Sequence, residues 1–136
     1  MTKELWINLP VKDLAKSREF FAKLGFAFHP RHEGSDEAAG LVIGEKGILV
    51  MLFPEAAFRG FAGNEVSDTT RGTEMLISID AQSKEEVDEL VRKAEEAGAV
   101  VFGRPKDNGW LYGAGFADLD GHRWNVLYMD MSGMPQ

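Results

Sequence analysis

Thr73–Asp80, Thr-Glu-Met-Leu-Ile-Ser-Ile-Asp, is the stretch whose reading decides the fold. At a period of two residues, Met75, Ile77 and Ile79 share one face of a strand, and Glu74, Leu76 and Ser78 share the other. The first face is apolar, as packing on a helix requires. The second is mixed and carries a carboxylate. A helix signal follows at once: Ser83 and Glu86 form a capping box. Val87, Leu90, Val91 and Ala94 then recur at helical spacing, and Gly98 closes the segment. Val100–Phe102 reads as a short strand, Arg104–Gly109 as a turn-rich loop and Trp110–Ala117 as a strand. Asp118–Gly121 is a tight turn, His122–Asp130 a strand, and the tail from Met131 is expected to fray.

The first half repeats this order. Glu4–Val11 alternates as a strand, and Asp13 is placed to cap a helix running to Leu24. Leu14, Phe20, Phe21 and Leu24 form its apolar stripe, with Lys12, Lys16, Arg18, Glu19 and Lys23 on the wet side. Gly25 stands where a left-handed cap is needed. Strands are expected at Phe26–Pro30, Ala38–Ile43 and Ile48–Phe53, with a loop at His32–Glu37 and a hairpin turn at Gly44–Gly47. Glu55–Phe61 can form a short helical turn. Residues 60–72 show no periodicity and read as a linker that crosses between halves or forms a lid. Caps Asp13 and Ser83, like terminators Gly25 and Gly98, recur about 70 residues apart, which marks an internal duplication. The expected architecture is α+β, with two βαβββ modules forming a curved mixed sheet around a cleft and the helices outside. Module 1 spans about residues 1–58 and module 2 residues 73–130.

Composition bounds the function. The chain has 136 residues, enough for one domain with a real core, and 44% are hydrophobic. A net charge of −7 disfavours nucleic acid and anionic membranes as partners. With no cysteine, disulfides, thiolate metal sites and a cysteine nucleophile are excluded. No basic leader precedes an apolar run, and no stretch approaches the roughly 20 apolar residues of a membrane span. The sequence therefore leads to the expectation of a soluble, cytoplasmic protein.

Leu9–Leu14 (Leu-Pro-Val-Lys-Asp-Leu), Phe20–Gly25 (Phe-Phe-Ala-Lys-Leu-Gly) and Asp118–His122 (Asp-Leu-Asp-Gly-His) resemble the corresponding stretches of the vicinal oxygen chelate superfamily. That group contains glyoxalase I, bleomycin and fosfomycin resistance proteins and extradiol dioxygenases. In its metal-dependent members, four ligands enter the cup from the first and last strands of each half. Carried over by position, they fall here on Trp6, Met51, Glu74 and Asn125. Glu74 can hold a metal and Asn125 is a weak neutral ligand. Indole has no free lone pair and a thioether is soft, so Trp6 and Met51 do not suit a hard or borderline dication. Two donors fall short of the roughly three that a catalytic site needs. The resemblance therefore implies the fold without its usual metal or cofactor. His29, His32 and His122 do not rebuild the site, since none shares helical spacing with another ligand, and they read as turn or surface histidines.

Strand alternation turns Trp6, Asn8, Leu49, Met51 and Phe53 into the cup, and on the second half Glu74, Leu76, Arg123, Asn125 and Leu127. Trp110 and Tyr112 are rim candidates whose phase the alternation does not fix. This is an aromatic and apolar wall with a few polar groups, the makeup of a small-molecule pocket and equally of a plain core. Glu74 discriminates. It pairs with Arg123 or lies exposed to solvent at the strand start, or it acts as a general acid or base with its pKa raised beside Trp6 and Met51, or it meets a cationic or hydrogen-bond-donating ligand. The favoured reading is a metal-free protein that sequesters an aromatic or cationic organic ligand. The alternatives are a lyase, isomerase or dioxygenase-like enzyme using Glu74, and a scaffold whose cleft is filled by its own side chains. The resemblance also implies a homodimer, which would cover open sheet edges.

Overall fold

The computed structural model describes residues 1–133 and divides the chain into two compact units, Met1–Asp68 and Thr69–Gln136. Each unit is built on one four-stranded mixed sheet, and the fold is α+β.

In the first unit, strand β1 (Trp6–Val11) leads into helix α1 (Leu14–Lys23). Asp13 starts the helix: its carboxylate accepts from the backbone N–H of Lys16 at 3.1 Å, satisfying a donor that the first turn leaves open. Gly25 ends it at φ +92°, a conformation that side chains with a Cβ resist. Then come β2 (Ala27–Phe28), a 3-10 turn (Pro30–His32), β3 (Ala39–Ile43), β4 (Ile48–Pro54) and helix α2 (Glu55–Ala62). The strand order is β1-β4-β3-β2, with β1 parallel to β4 and the other pairs antiparallel. Leu14, Phe20 and Phe21 of α1 are buried with Leu9, Val11, Leu41, Val50 and Leu52 of the sheet. Burying each such side chain is worth roughly 1.5–3 kcal/mol of transfer free energy.

Arg18 does not lie on a wet side. Its guanidinium reaches over the β2–β3 connection and donates to the backbone carbonyls of His32 (2.9 Å), Ala38 (2.5 Å) and Ser35. The side chain spends its charge on loop carbonyls that have no strand partner.

The second unit repeats the plan: β5 (Leu76–Asp80), α3 (Lys84–Glu96), β6 (Val100–Asp107), β7 (Leu111–Ala117) and β8 (Arg123–Met129), in the order β5-β8-β7-β6. Again the first strand runs parallel to the last. Ser83 Oγ accepts from the Glu86 N–H at 3.1 Å, while the Glu86 carboxylate reaches back to the N–H of Gln82, also at 3.1 Å. The box therefore closes one residue earlier than the usual reciprocal pair. Val87, Val91 and Ala94 of α3 are buried with Phe116, Trp124 and Val126. The rings of Phe116 and Trp124 stack within 5° of parallel at 6.4 Å.

Several expected boundaries shift. The Thr73–Asp80 strand starts only at Leu76, because its partner β8 begins at Arg123 and Leu76 is the first residue opposite it. Glu74 is left outside the strand in an exposed bend. Phe26–Pro30 reduces to the two residues of β2, after which Pro30 opens the 3-10 turn. β6 continues through most of the expected 104–109 loop, accommodating register shifts between Val101 and Gly103 and between Gly103 and Lys106. α2 takes up Gly60–Ala62 from the expected linker and ends at Gly63, φ +66°. Met131–Gly133 forms a 3-10 turn rather than a frayed end, and the expectation for 134–136 lies outside the described residues.

Candidate functional site

Each sheet has one face under its helix and one face away from it. On the first sheet, Trp6 pairs with Leu49, Asn8 with Met51 and Pro10 with Phe53, so these side chains share the face opposite Leu9, Val11, Val50 and Leu52. Alternation brings Trp6, Asn8, Met51 and Phe53 together as expected. Trp6 is 57% exposed, an unusual state for the largest apolar side chain, whereas Met51 is only 7% exposed. Met51 sits over Gly40: a Cβ there would stand 3.1 Å from the methionine Sδ. Phe53 meets the ring of Phe61 from α2 edge-on at 5.0 Å. Phe61, which the sequence assigned only to a helical turn, thus joins this aromatic patch.

On the second sheet, Leu76 pairs with Arg123, Ser78 with Asn125 and Asp80 with Leu127. Gly115 lies opposite Asn125 and Gly113 opposite Leu127. This face is opposite Trp124, Val126 and Phe116, and so opposite α3. Arg123 does not pair with Glu74. Its guanidinium carbon lies 4.4 Å from the centre of the Phe102 ring, and among the described residues no carboxylate bridges to it. Phe102 lies over Gly115, where an added Cβ would be 2.5 Å from ring carbons and 3.1 Å from Asn125 Oδ1. Phe102 and Gly115 are site residues the sequence reading missed. The one signal was the alternation of small residues, Gly113-Ala114-Gly115, which leaves room on one face.

Tyr112 is not at a rim on this face. It pairs with Tyr128 on the helix side, and its hydroxyl donates to Asp88 of α3 at 2.6 Å. The Asp88 carboxylate holds the phenol protonated, raising its pKa, with burial adding to the effect. Lys84 lies 5.7 Å from the same ring. Trp110 precedes β7, and its carbonyl accepts from the Asp130 N–H at 2.6 Å, so it belongs to the end of the sheet.

The superfamily's ligand positions do not fit a divalent cation here. Trp6 and Met51 share a face but offer indole and thioether. Asn125 offers an amide, and Glu74 stands alone in its bend. Among the described residues no group of three His, Cys, Asp or Glu side chains could hold a metal ion. His29 instead caps the 3-10 turn, its Nδ1 accepting from the Arg31 N–H at 3.1 Å.

The fold agrees with the comparisons. The model of the Glyoxalase/Bleomycin resistance protein/Dioxygenase superfamily matches residues 5–126, and the chain belongs to that superfamily. A hypothetical protein from S. aureus is 36% identical, with a TM-score of 0.82 and 94% of each chain covered. A family enzyme from Burkholderia phytofirmans shares the fold at 22% identity and a TM-score of 0.74, covering 91% of this chain and 96% of that one. The fosfomycin resistance protein of Listeria monocytogenes does so at 20% identity and a TM-score of 0.67, covering 98% of each chain. Among curated proteins none matches.

Proposed function

We propose that this protein binds a small organic molecule, without a metal, against the sheet faces turned away from α1 and α3. The observation that carries this reading is Trp6: an indole 57% exposed, on the same face as Asn8, Met51 and Phe53. Such a surface is aromatic with a few polar groups, as ligand sites are. The ligand this face suits is aromatic, and Glu74 of the second unit is the carboxylate that a cationic one would seek. The donor chemistry at Trp6, Met51, Glu74 and Asn125 supports a reading without metal. The superfamily includes bleomycin resistance proteins, and that membership supports a role in handling a small organic molecule.

Thermal-shift screening of the chain with small aromatic and cationic molecules tests this. A ligand at 100 times its Kd raises native stability by about 2.7 kcal/mol. Binding should quench tryptophan emission, and Trp6→Phe should remove that quenching. Stoichiometric zinc, nickel, manganese or iron in protein purified without chelator would overturn the reading in favour of a lyase, isomerase or dioxygenase-like enzyme using Glu74. In that case Glu74→Gln would abolish turnover. In the binding reading it changes only the affinity for cations. The proposal includes a homodimer in the cytoplasm, checked by light scattering and fractionation. Among the described residues no helix is long and apolar enough to cross a membrane.

A further inference from the structure

Four cations of the second unit, Lys84, Arg92, Lys93 and Arg104, each have a carboxylate within bridging distance. Among the described residues Arg123 has none, although the chain carries 22 acids against 15 lysines and arginines. Its Nε is buried and, among the described residues, has no hydrogen-bond partner. Stacking on Phe102 at 4.4 Å holds the guanidinium plane but satisfies none of its N–H groups. A buried donor without an acceptor is disfavoured, so this arrangement is incomplete as it stands.

We infer that Arg123, stacked on Phe102, is the anchor for the carboxylate of a small aromatic acid. A carboxylate offers two coplanar oxygens that match the Nε–H and Nη–H edge of a guanidinium. The side chain is half-buried, so the pair forms partly out of water, where it is stronger. Phe102 and Leu76 flank it, 41% and 48% exposed, and give the ligand's ring an apolar wall. Asn125 lies beside them with an amide that donates or accepts. Gly115 is the enabling residue, because any side chain there would displace Phe102. The inference rests on the binding reading and narrows it. Between an aromatic and a cationic ligand, an unpaired guanidinium repels the cation and selects an aromatic anion.

The test is calorimetric titration of the full chain with four probes: benzoate and phenylacetate, neutral benzyl alcohol, and cationic benzylamine. The acids are expected to bind and the other two to bind at least about tenfold more weakly. Arg123→Gln should weaken the acids by about tenfold or more, with Arg123→Lys between, since it keeps charge but loses the fork. Phe102→Leu, which removes the platform and leaves the charge, should weaken them about threefold. If Arg123→Gln fails to fold, as judged by circular dichroism, the lysine and leucine variants carry the test. Equal binding of benzylamine or benzyl alcohol, or acid affinity unmoved by the variants that fold, overturns the acid anchor and leaves the binding reading standing. If no probe binds, the acid anchor falls, and the binding reading is decided separately by the thermal-shift screen.

Discussion

The indole Nε1–H of Trp124 donates to Oδ2 of Asp118 at 3.0 Å, tying a fully buried ring to a buried carboxylate across the turn that opens β8. The other oxygen, Oδ1, accepts from the N–H groups of Asp120 and His122, both at 3.0 Å. Burial raises the pKa of Asp118. Attraction to His122 and these hydrogen bonds oppose the shift without cancelling it.

Asp118→Asn should cost about 1–3 kcal/mol, because an amide satisfies one side of this network and turns an N–H against the other. The cost should depend on pH. The native carboxyl holds its proton more tightly than the unfolded one, so its contribution to stability is present at low pH. It declines as pH rises from about 3.9 through the raised native value. Asparagine does not titrate, so the gap between wild type and variant should be wider near pH 4 than at pH 7. Urea unfolding of both proteins at each pH measures it, and a gap that widens with rising pH would refute the assignment.

Arg18→Met should lose about 2–4 kcal/mol, since carbonyls of His32, Ser35 and Ala38 lose a charged donor together. Amide exchange should quicken over residues 32–38 before it does in β4. Arg18→Lys should recover only part of the loss, because an ammonium is a point charge without a planar fork.

Gly121→Ala should destabilise by about 1–3 kcal/mol for two separable reasons. Its φ is +83°, and a Cβ would lie 2.3 Å from Thr69 Oγ1. That hydroxyl donates to the Asp120 carbonyl at 2.7 Å, fastening the start of the second unit to the Asp118–Gly121 turn. In a Thr69→Gly background the collision is gone and only the backbone cost of about 1 kcal/mol should remain. A double-mutant cycle from thermal melts gives the difference.

Trp6→Phe should shift stability by no more than about 0.5 kcal/mol, as an exposed site away from caps and core. Yet it should remove much of the acrylamide-quenchable emission, because Trp124 is fully buried and only the half-buried Trp110 remains accessible. A large stability loss would show that Trp6 serves the core and not a ligand.

Local chemistry was legible in the sequence where one segment is enough to settle it. Asp13, Ser83, Gly25 and Gly98 mark helix ends through their own backbone neighbours, and all four stand where their chemistry puts them. β4 is apolar on both faces, whereas the faces of β1 and β8 were readable because apolar residues alternate there with others. Tyr112 was not, since β7 runs through Gly113, Ala114 and Gly115, whose small side chains give alternation no contrast. Phe102 over Gly115 depends on register shifts in β6, which only the pairing partner reveals. Arg18 falls among the polar positions of the helical pattern, but its long stem carries the charge to carbonyls far along the chain. Glu74 alternates in phase with a strand that stops short of it, because strand length is set by the partner and not by the pattern.

In each sheet the opening strand hydrogen-bonds to the closing one, β1 to β4 and β5 to β8. During synthesis, then, Trp6–Val11 must wait, apolar and unpaired, until Ile48–Pro54 has left the ribosome, and Leu76–Asp80 must wait for Arg123–Met129. Each half of the nascent chain is at its most aggregation-prone just before its last strand emerges, and that interval is where a chaperone would have the most to do.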